Sequence, residues 1–135
     1  MKNVREMLDN SPGSVPVAAD LVARCVEACF DCEQSCVACA DACVGEKNQN
    51  ELVACIRLDL ACADLCAATG RIISRELAGD PGMAPNALRA CAEACRICAE
   101  ECERHAPHME HCRICAESCR RCGEACQNLL SALEG

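Results

Sequence analysis

The 135-residue chain has almost no aromatic side chains, because it contains one Phe and neither Tyr nor Trp. The bulky residues that usually fill a protein core are therefore missing. Apolar residues including Cys nevertheless make up 52% of the chain, and Cys alone accounts for eighteen residues. The core must consequently be built largely from thiols and other small side chains.

Long apolar runs and an excess of basic residues are also lacking. The first twenty residues contain Glu6, Asp9 and two prolines where a secretory signal needs an uninterrupted apolar region, so we expect no signal peptide. Charged residues recur too often for a membrane span. The net charge of −8 argues against a nucleic acid partner. We therefore expect a soluble cytoplasmic protein, in which dense thiols stay reduced and bind metal more often than they form disulfides.

Breaker residues divide the chain into an N-terminal segment and four long helices. Residues 1–16 end in the Pro/Gly/Ser-rich stretch SPGSVP and are expected to form a tail or a short helix. Helices are predicted over residues 17–44, about 48–78, 85–105 and 107–133. Four helices of similar length with short links predict an all-α fold, an antiparallel up-down-up-down four-helix bundle that occupies residues 17–135.

Local signals mark the ends of these helices. Gly45 is a plausible C-cap, and Asn48 with Glu51 resembles a capping box at the start of the second helix. Pro85 and Pro107 are acceptable in the first turns of the third and fourth helices. Gly70, in contrast, weakens the interior of the second helix.

The Cys residues follow one rule of spacing, with steps that alternate between three and four residues. The stretch ARCVEACFDCEQSCVACADACV, residues 23–44, carries six thiols in this way. Such steps return to one face of a helix, as do the a and d positions of a coiled coil. The eighteen positions are Cys25, Cys29, Cys32, Cys36, Cys39, Cys43, Cys55, Cys62, Cys66, Cys91, Cys95, Cys98, Cys102, Cys112, Cys115, Cys119, Cys122 and Cys126. They predict a Cys-lined bundle core.

Metal binding explains this core better than packing or cross-linking does. A core of Cys and Ala fills less apolar volume than Leu or Ile, at a cost in stability, which disfavours inert packing. Disulfides between neighbours at i and i+3 or i+4 are disfavoured because their Cβ vectors run nearly parallel along a helix.

Thiolates select soft metal ions, namely Cu(I), Zn(II) or iron–sulfur clusters. Zinc prefers closed sets of four ligands, and a continuous ladder has no natural breaks into fours. Iron–sulfur ligands usually lie on loops, often in a motif that ends in Cys-Pro, and no Cys-Pro occurs here. Cu(I) accepts two or three sulfurs and shares them by bridging, so it fits best, with about nine to eighteen ions per chain. A metallothionein-like zinc or cadmium buffer remains the alternative, followed by an iron–sulfur electron carrier.

The repeated C-x3-C-x2-C-x3-C runs in a four-helix bundle, with a His-bearing link between the last two helices, resemble the cytosolic copper storage proteins. The resemblance covers about residues 17–133. It implies storage of many Cu(I) ions per chain, a homotetramer of bundles, and copper loading at the end that carries the His residues. Copper ions are thus the expected ligands, and a copper chaperone is a candidate donor.

The stretch ECERHAPHMEHC, residues 101–112, contains the residues on which the predicted copper-loading site depends. In the predicted bundle one rim collects His105, His108, Met109 and His111, next to four Cys. Their imidazoles and thioether can pass Cu(I) on without holding it as tightly as thiolates, so we expect a gate; exposed His at helix ends is the alternative. At the opposite end an apolar plug is predicted from Leu21, Val22, Thr69, Ile73, Leu88, Leu129 and Leu133.

Asp59 interrupts the ladder of the second helix, four residues after Cys55 and three before Cys62. A continuous helix must point it at the core, where an unpaired carboxylate is costly. We therefore expect it near water, hydrogen-bonded, or acting as a weak copper or proton site, with a solvated rim residue as the alternative.

Two enzymatic interpretations lack their motifs. A di-iron bundle needs inward Glu residues and two Glu-x-x-His pairs, and the three His of this chain form no such pair. A thiol–disulfide oxidoreductase needs an exposed C-x-x-C beside a βαβ pattern. The sequence therefore predicts a protein that is not an enzyme.

Overall fold

The structure is a computed structural model that describes residues 1–13, 16–77 and 79–135, with Glu76 described by its backbone alone. The described residues form helices α1 (Val4–Asp9), α2 (Ala19–Val44), α3 (Val53–Glu76), α4 (Met83–His105) and α5 (Glu110–Glu134), with a 3₁₀ turn at Gln49–Leu52. Helix α2 packs against α3 and α5, and α4 packs against the same two helices. The predicted all-α four-helix bundle is confirmed.

The long helices begin close to the predicted residues, with two exceptions. The prediction that Pro107 starts the last helix is wrong, because α5 begins at Glu110 after the extended residue Met109. Helix α4 ends at His105. The residues between His105 and Glu110, including Pro107, form the turn that reverses the chain and cannot belong to α5. The predicted end of the second helix at Ala78 lies outside the described residues.

The capping box predicted at Asn48 is also wrong. The Asn48 side chain donates its hydrogen bond to the Glu51 carboxylate, at 3.3 Å, and caps no backbone N–H. The chain forms its 3₁₀ turn there before α3 begins at Val53. Gly45 does end α2, with its N–H bonded to carbonyls of the last turn, but its φ of −80° is right-handed.

Helix α3 approaches α2 closely at Gly70. A Cβ placed on Gly70 would lie 3.0 Å from Cζ of Phe30 and 3.2 Å from Cβ of Cys29. The glycine that weakens the helix locally therefore makes room for the only aromatic ring in the chain.

An apolar plug closes the end of the bundle far from the α4–α5 link. Val22, Thr69, Ile73, Leu88 and Leu129 are buried, as predicted, while Leu21 and Leu133 are partly buried against them. Val4 and Leu8 of α1 pack against the same core. Within the described ranges, no helix combines the length and hydropathy that a membrane span requires.

Candidate metal centre

All eighteen thiols lie inside the bundle, each at most 1% exposed. They come from all four long helices, because each helix turns its three-and-four stripe toward the same axis. Every Cys is a free thiol. Neighbouring sulfurs are 3.7–3.9 Å apart, for example Cys32 and Cys119 at 3.7 Å, whereas a disulfide bond is about 2.05 Å long.

Sulfurs from different helices form groups that could each hold a metal ion. Five of these groups are Cys29/Cys91/Cys122/Cys126, Cys32/Cys66/Cys95/Cys122, Cys32/Cys36/Cys62/Cys119, Cys36/Cys98/Cys115/Cys119 and Cys39/Cys43/His111/Cys112. The ligand atoms within a group all lie within 4.8 Å of one another. Four residues, Cys32, Cys36, Cys119 and Cys122, each belong to two groups. The sites therefore overlap along the core.

The spacing of the sulfurs suits bridged metal ions. If a metal lies about 2.3 Å from each sulfur, two sulfurs 3.8 Å apart subtend an angle of about 110° at the metal. That angle fits three or four ligands per ion. Because four of the Cys belong to two groups, filling adjacent groups requires sulfurs that bridge two ions.

The thiol of Cys43 holds its proton until a metal displaces it. Removal from water raises the pKa of Cys43, at the rim of the core, to about 11. When a metal ion binds such a thiol as a thiolate, the thiol must release its proton. The affinity for the metal therefore depends on pH.

Asp59 points into the core and is fully buried. Its Oδ1 accepts hydrogen bonds from the thiols of Cys98 (3.1 Å), Cys102 (3.3 Å) and Cys115 (3.5 Å), and its Oδ2 accepts one from Cys55 (3.9 Å). Burial, with the nearby Cys115 and Cys55 sulfurs, raises its pKa to about 8. The hydrogen-bonded alternative for Asp59 is therefore confirmed, and the solvated rim position is wrong.

At the rim, His111 joins the thiol array. Its Nδ1 lies 3.4 Å from the Cys39 sulfur and 3.6 Å from the Cys112 sulfur, while its Nε2 lies 2.9 Å from the Glu46 carboxylate. A carboxylate only accepts hydrogen bonds, so it fixes the proton on Nε2. A neutral His111 ring then directs the lone pair of Nδ1 toward the thiols.

The other residues of the predicted rim lie at different depths. His105 is partly buried and its Nε2 lies 2.9 Å from the Glu101 carboxylate. Met109 is partly buried against the core, and His108 is exposed. His108 lies in the turn before α5 begins, so it does not continue the Cys stripe of that helix.

Two residues of the rim have no signal in the sequence. Glu46 lies in the α2–α3 link, 65 residues before its partner His111, and only the fold brings them together. Glu101 pairs with His105 one helical turn later, a spacing that is common on exposed helix faces.

The profile of the copper storage proteins matches residues 18–131. The chain belongs to the copper storage protein family. The copper storage protein Ccsp from Streptomyces lividans, loaded with 10 copper equivalents, shares 45% identity, with 96% of this chain and 98% of Ccsp aligned at a TM-score of 0.93. A cytosolic copper storage protein from Streptomyces lividans with five coppers shares 49% identity, over 83% of this chain and 93% of that one, at a TM-score of 0.81.

A further copper storage protein, BsCsp3 in its Cu(I)-bound form, has the same fold. It is 35% identical, with 78% of this chain and 94% of BsCsp3 aligned at a TM-score of 0.71. Membership of the copper storage protein family thus agrees with the overlapping thiol groups in the core.

Proposed function

We propose that the chain binds and stores Cu(I) through its core thiolates and so buffers copper, without a catalytic role. The observation that supports this best is the overlap of the thiol groups, because Cys32, Cys36, Cys119 and Cys122 each serve two of them. Cu(I) tolerates shared sulfurs, whereas zinc prefers closed tetrahedral sets. The copper-loaded relatives Ccsp and BsCsp3 support the same choice.

The proposed ligands are the eighteen Cys, with His111 added at the rim. Its Nδ1 lies close enough to Cys39 and Cys112 for all three residues to share one ion. Among the described side chains, His105, His108 and Met109 form no hydrogen bond with a thiol, and we assign them to the approach of copper rather than to its storage. Asp59 takes a role as a proton acceptor or weak ligand, supported by its four thiol hydrogen bonds.

Copper ions are the proposed partners, delivered either as small complexes or by a copper chaperone. A cytoplasmic location is supported by the cytosolic copper storage protein of Streptomyces lividans and by a core of reduced thiols, which that compartment maintains. No nucleic acid or membrane partner is proposed. The homotetramer implied by the family resemblance belongs to the same proposal, and half-exposed apolar side chains on α2 and α3 support self-association.

The proposal predicts that copper capacity scales with the number of core thiols. Replacing Cys115, Cys119 and Cys122 together by Ser removes three of eighteen thiols and should lower the Cu(I) bound per chain by roughly a sixth or more, since bridging sulfurs serve more than one ion. Capacity is measured by anaerobic titration with a chromogenic Cu(I) competitor.

The matched control replaces three buried alanines by Ser, namely Ala92, Ala99 and Ala116. These changes introduce the same three hydroxyl groups but remove no thiol. Unchanged capacity in the Cys variant, or an equal loss in the Ala variant with helicity retained in both, would contradict storage by core thiolates.

A further inference from the structure

One metal-binding group lies at the rim of the bundle and stands apart from the other four. This rim group consists of Cys39, Cys43, His111 and Cys112, whose ligand atoms all lie within 4.8 Å of one another. Each of the other four groups named above shares at least one Cys with a neighbouring group, whereas the rim group shares none of its residues with them. A metal ion in the rim group therefore takes four ligands without bridging to an ion in any of those groups.

Two helix ends supply the rim group with two residues each. Cys39 and Cys43 are one turn apart near the end of α2, so their side chains lie on one face of that helix. His111 and Cys112 are adjacent in the first turn of α5. Three thiols and one imidazole form a Cys₃His set, which is one of the ligand sets of structural zinc sites.

The distances between the ligand atoms match a tetrahedral zinc site. The Cys39 and Cys112 sulfurs are 3.8 Å apart, and Nδ1 of His111 lies 3.4 Å from the first sulfur and 3.6 Å from the second. With Zn–S bonds of about 2.3 Å and Zn–N bonds of about 2.05 Å, an ideal tetrahedron separates two sulfurs by about 3.8 Å and a sulfur from the nitrogen by about 3.5 Å. Zinc therefore fits between these three ligands with little movement of the two helix ends.

Glu46 gives the rim group the second feature of a zinc site. Its carboxylate lies 2.9 Å from Nε2 of His111 and accepts the proton of that nitrogen, which leaves Nδ1 as the ligand atom. A His that ligates zinc commonly donates its other ring N–H to a carboxylate in this way. The other four groups contain thiols alone, the ligand set that favours the softer Cu(I).

The rim group is also open to an ion from solvent. The three Cys are at most 1% exposed, but the His111 side chain is 26% exposed. A metal ion can therefore reach the rim group past the imidazole, without first entering the core.

We propose that the rim group binds one Zn(II) ion in the copper-free protein. The zinc ion links the end of α2 to the start of α5 through a closed Cys₃His site, while the shared thiols of the other groups are left for Cu(I). This single site differs from a zinc buffer that fills the core, and it does not rest on the proposed copper storage. Cu(I) competes for the same three sulfurs, so the zinc ion is released when Cu(I) fills the rim, in an exchange that transfers no electrons.

An anaerobic titration of the reduced, metal-free, full-length chain with Zn(II) against a chromogenic zinc chelator tests the proposal. One Zn(II) per chain should bind tightly. X-ray absorption at the zinc edge should show three sulfurs at about 2.3 Å and one nitrogen at about 2.0–2.1 Å. Addition of Cu(I) should release the zinc ion to the chelator.

Two variants of the rim group sharpen the test. His111→Ala should remove the nitrogen ligand and weaken zinc binding by about tenfold or more. Glu46→Ala should keep the nitrogen ligand but weaken binding by about tenfold, because the carboxylate orients the ring. Glu110→Ala is the matched control, since this exposed carboxylate directly precedes His111 but pairs with Arg113, and zinc binding should be unchanged.

Absence of a tight zinc site would overturn the proposal. So would four or more Zn(II) of equal affinity, a zinc ion bound by sulfur alone, or equal weakening by Glu46→Ala and Glu110→Ala. Cys119→Ser removes a thiol shared by two core groups, so it should lower the Cu(I) bound per chain and leave one tight Zn(II). A low Cu(I) capacity in the wild type with one tight Zn(II) would count against copper storage and leave the zinc site standing.

Discussion

At the scale of single residues, Asp59 shows what the sequence can and cannot predict. Its position in the three-and-four spacing is enough to place it inside the bundle, because an uninterrupted helix allows no other direction. Its hydrogen-bond partners come from α4 and α5 as well as α3, and the sequence contains no signal for them. The same holds for His111 and Glu46, which only the packing of the first turn of α5 against the α2–α3 link brings together.

The raised pKa of Asp59 predicts how the stability of the metal-free protein depends on pH. The folded state keeps a proton up to about pH 8, whereas the unfolded chain releases it near the ordinary value of 3.8. The unfolding free energy should therefore be highest at low pH and fall as pH rises from about 4 to about 8, by up to about 1.4 kcal/mol per pH unit.

Asp59→Asn should flatten this slope, because the amide cannot lose a proton. Urea unfolding of the reduced, metal-free protein at pH 5, 6 and 7 measures the difference, with Asp64→Asn on the exposed side of α3 as the control. An equal slope in the Asp59→Asn variant would contradict the raised pKa of this carboxyl group in the folded state.

At the scale of helices, the sequence predicts interiors better than ends. The three-and-four spacing of the thiols repeats many times along each helix. A single residue that departs from the pattern therefore does not hide which face of the helix is buried. A helix end depends on a few residues, and the turn from Ala106 to His108 is set by the need to reverse the chain rather than by Pro107. Gly70 is a similar case, since its helix propensity indicates a weakness while its contact with Phe30 explains its presence.

Gly70→Ala should destabilise the bundle by about 1 kcal/mol. Ala gains about 1 kcal/mol of helix propensity, but its Cβ would lie 3.2 Å from Cβ of Cys29, which cannot move away without the backbone, and overpacking of this kind costs about 1–3 kcal/mol. Chemical unfolding of the reduced protein measures the change.

Gly123→Ala in α5 provides the control, because its Cβ would meet Cys95 at an ordinary 3.6 Å and should stabilise the protein. In a Phe30→Leu background, Gly70→Ala should cost less than in the wild type. A stabilising effect of Gly70→Ala in the wild type would show that the two helices do not approach as closely as described.

At the scale of the whole molecule, the fold follows from one repeated pattern. Four helices with the same stripe and short links leave few arrangements that bury every stripe, and the antiparallel bundle is the simplest of them. The overlap of the metal groups could not be predicted to the same degree, because it depends on how far each helix is shifted along its neighbours. The structure supplies that shift, and with it the shared positions Cys32, Cys36, Cys119 and Cys122.

The overlap of these groups is tested most directly by an anaerobic titration of the reduced protein with Cu(I), followed by competition with Zn(II). Bridged storage predicts that more than about nine Cu(I) bind per chain, that free thiols disappear in parallel, and that Zn(II) does not displace the copper. If about four Zn(II) bind tightly and Cu(I) saturates at no higher number, the core is a set of separate tetrahedral sites, and copper storage by shared thiolates is contradicted.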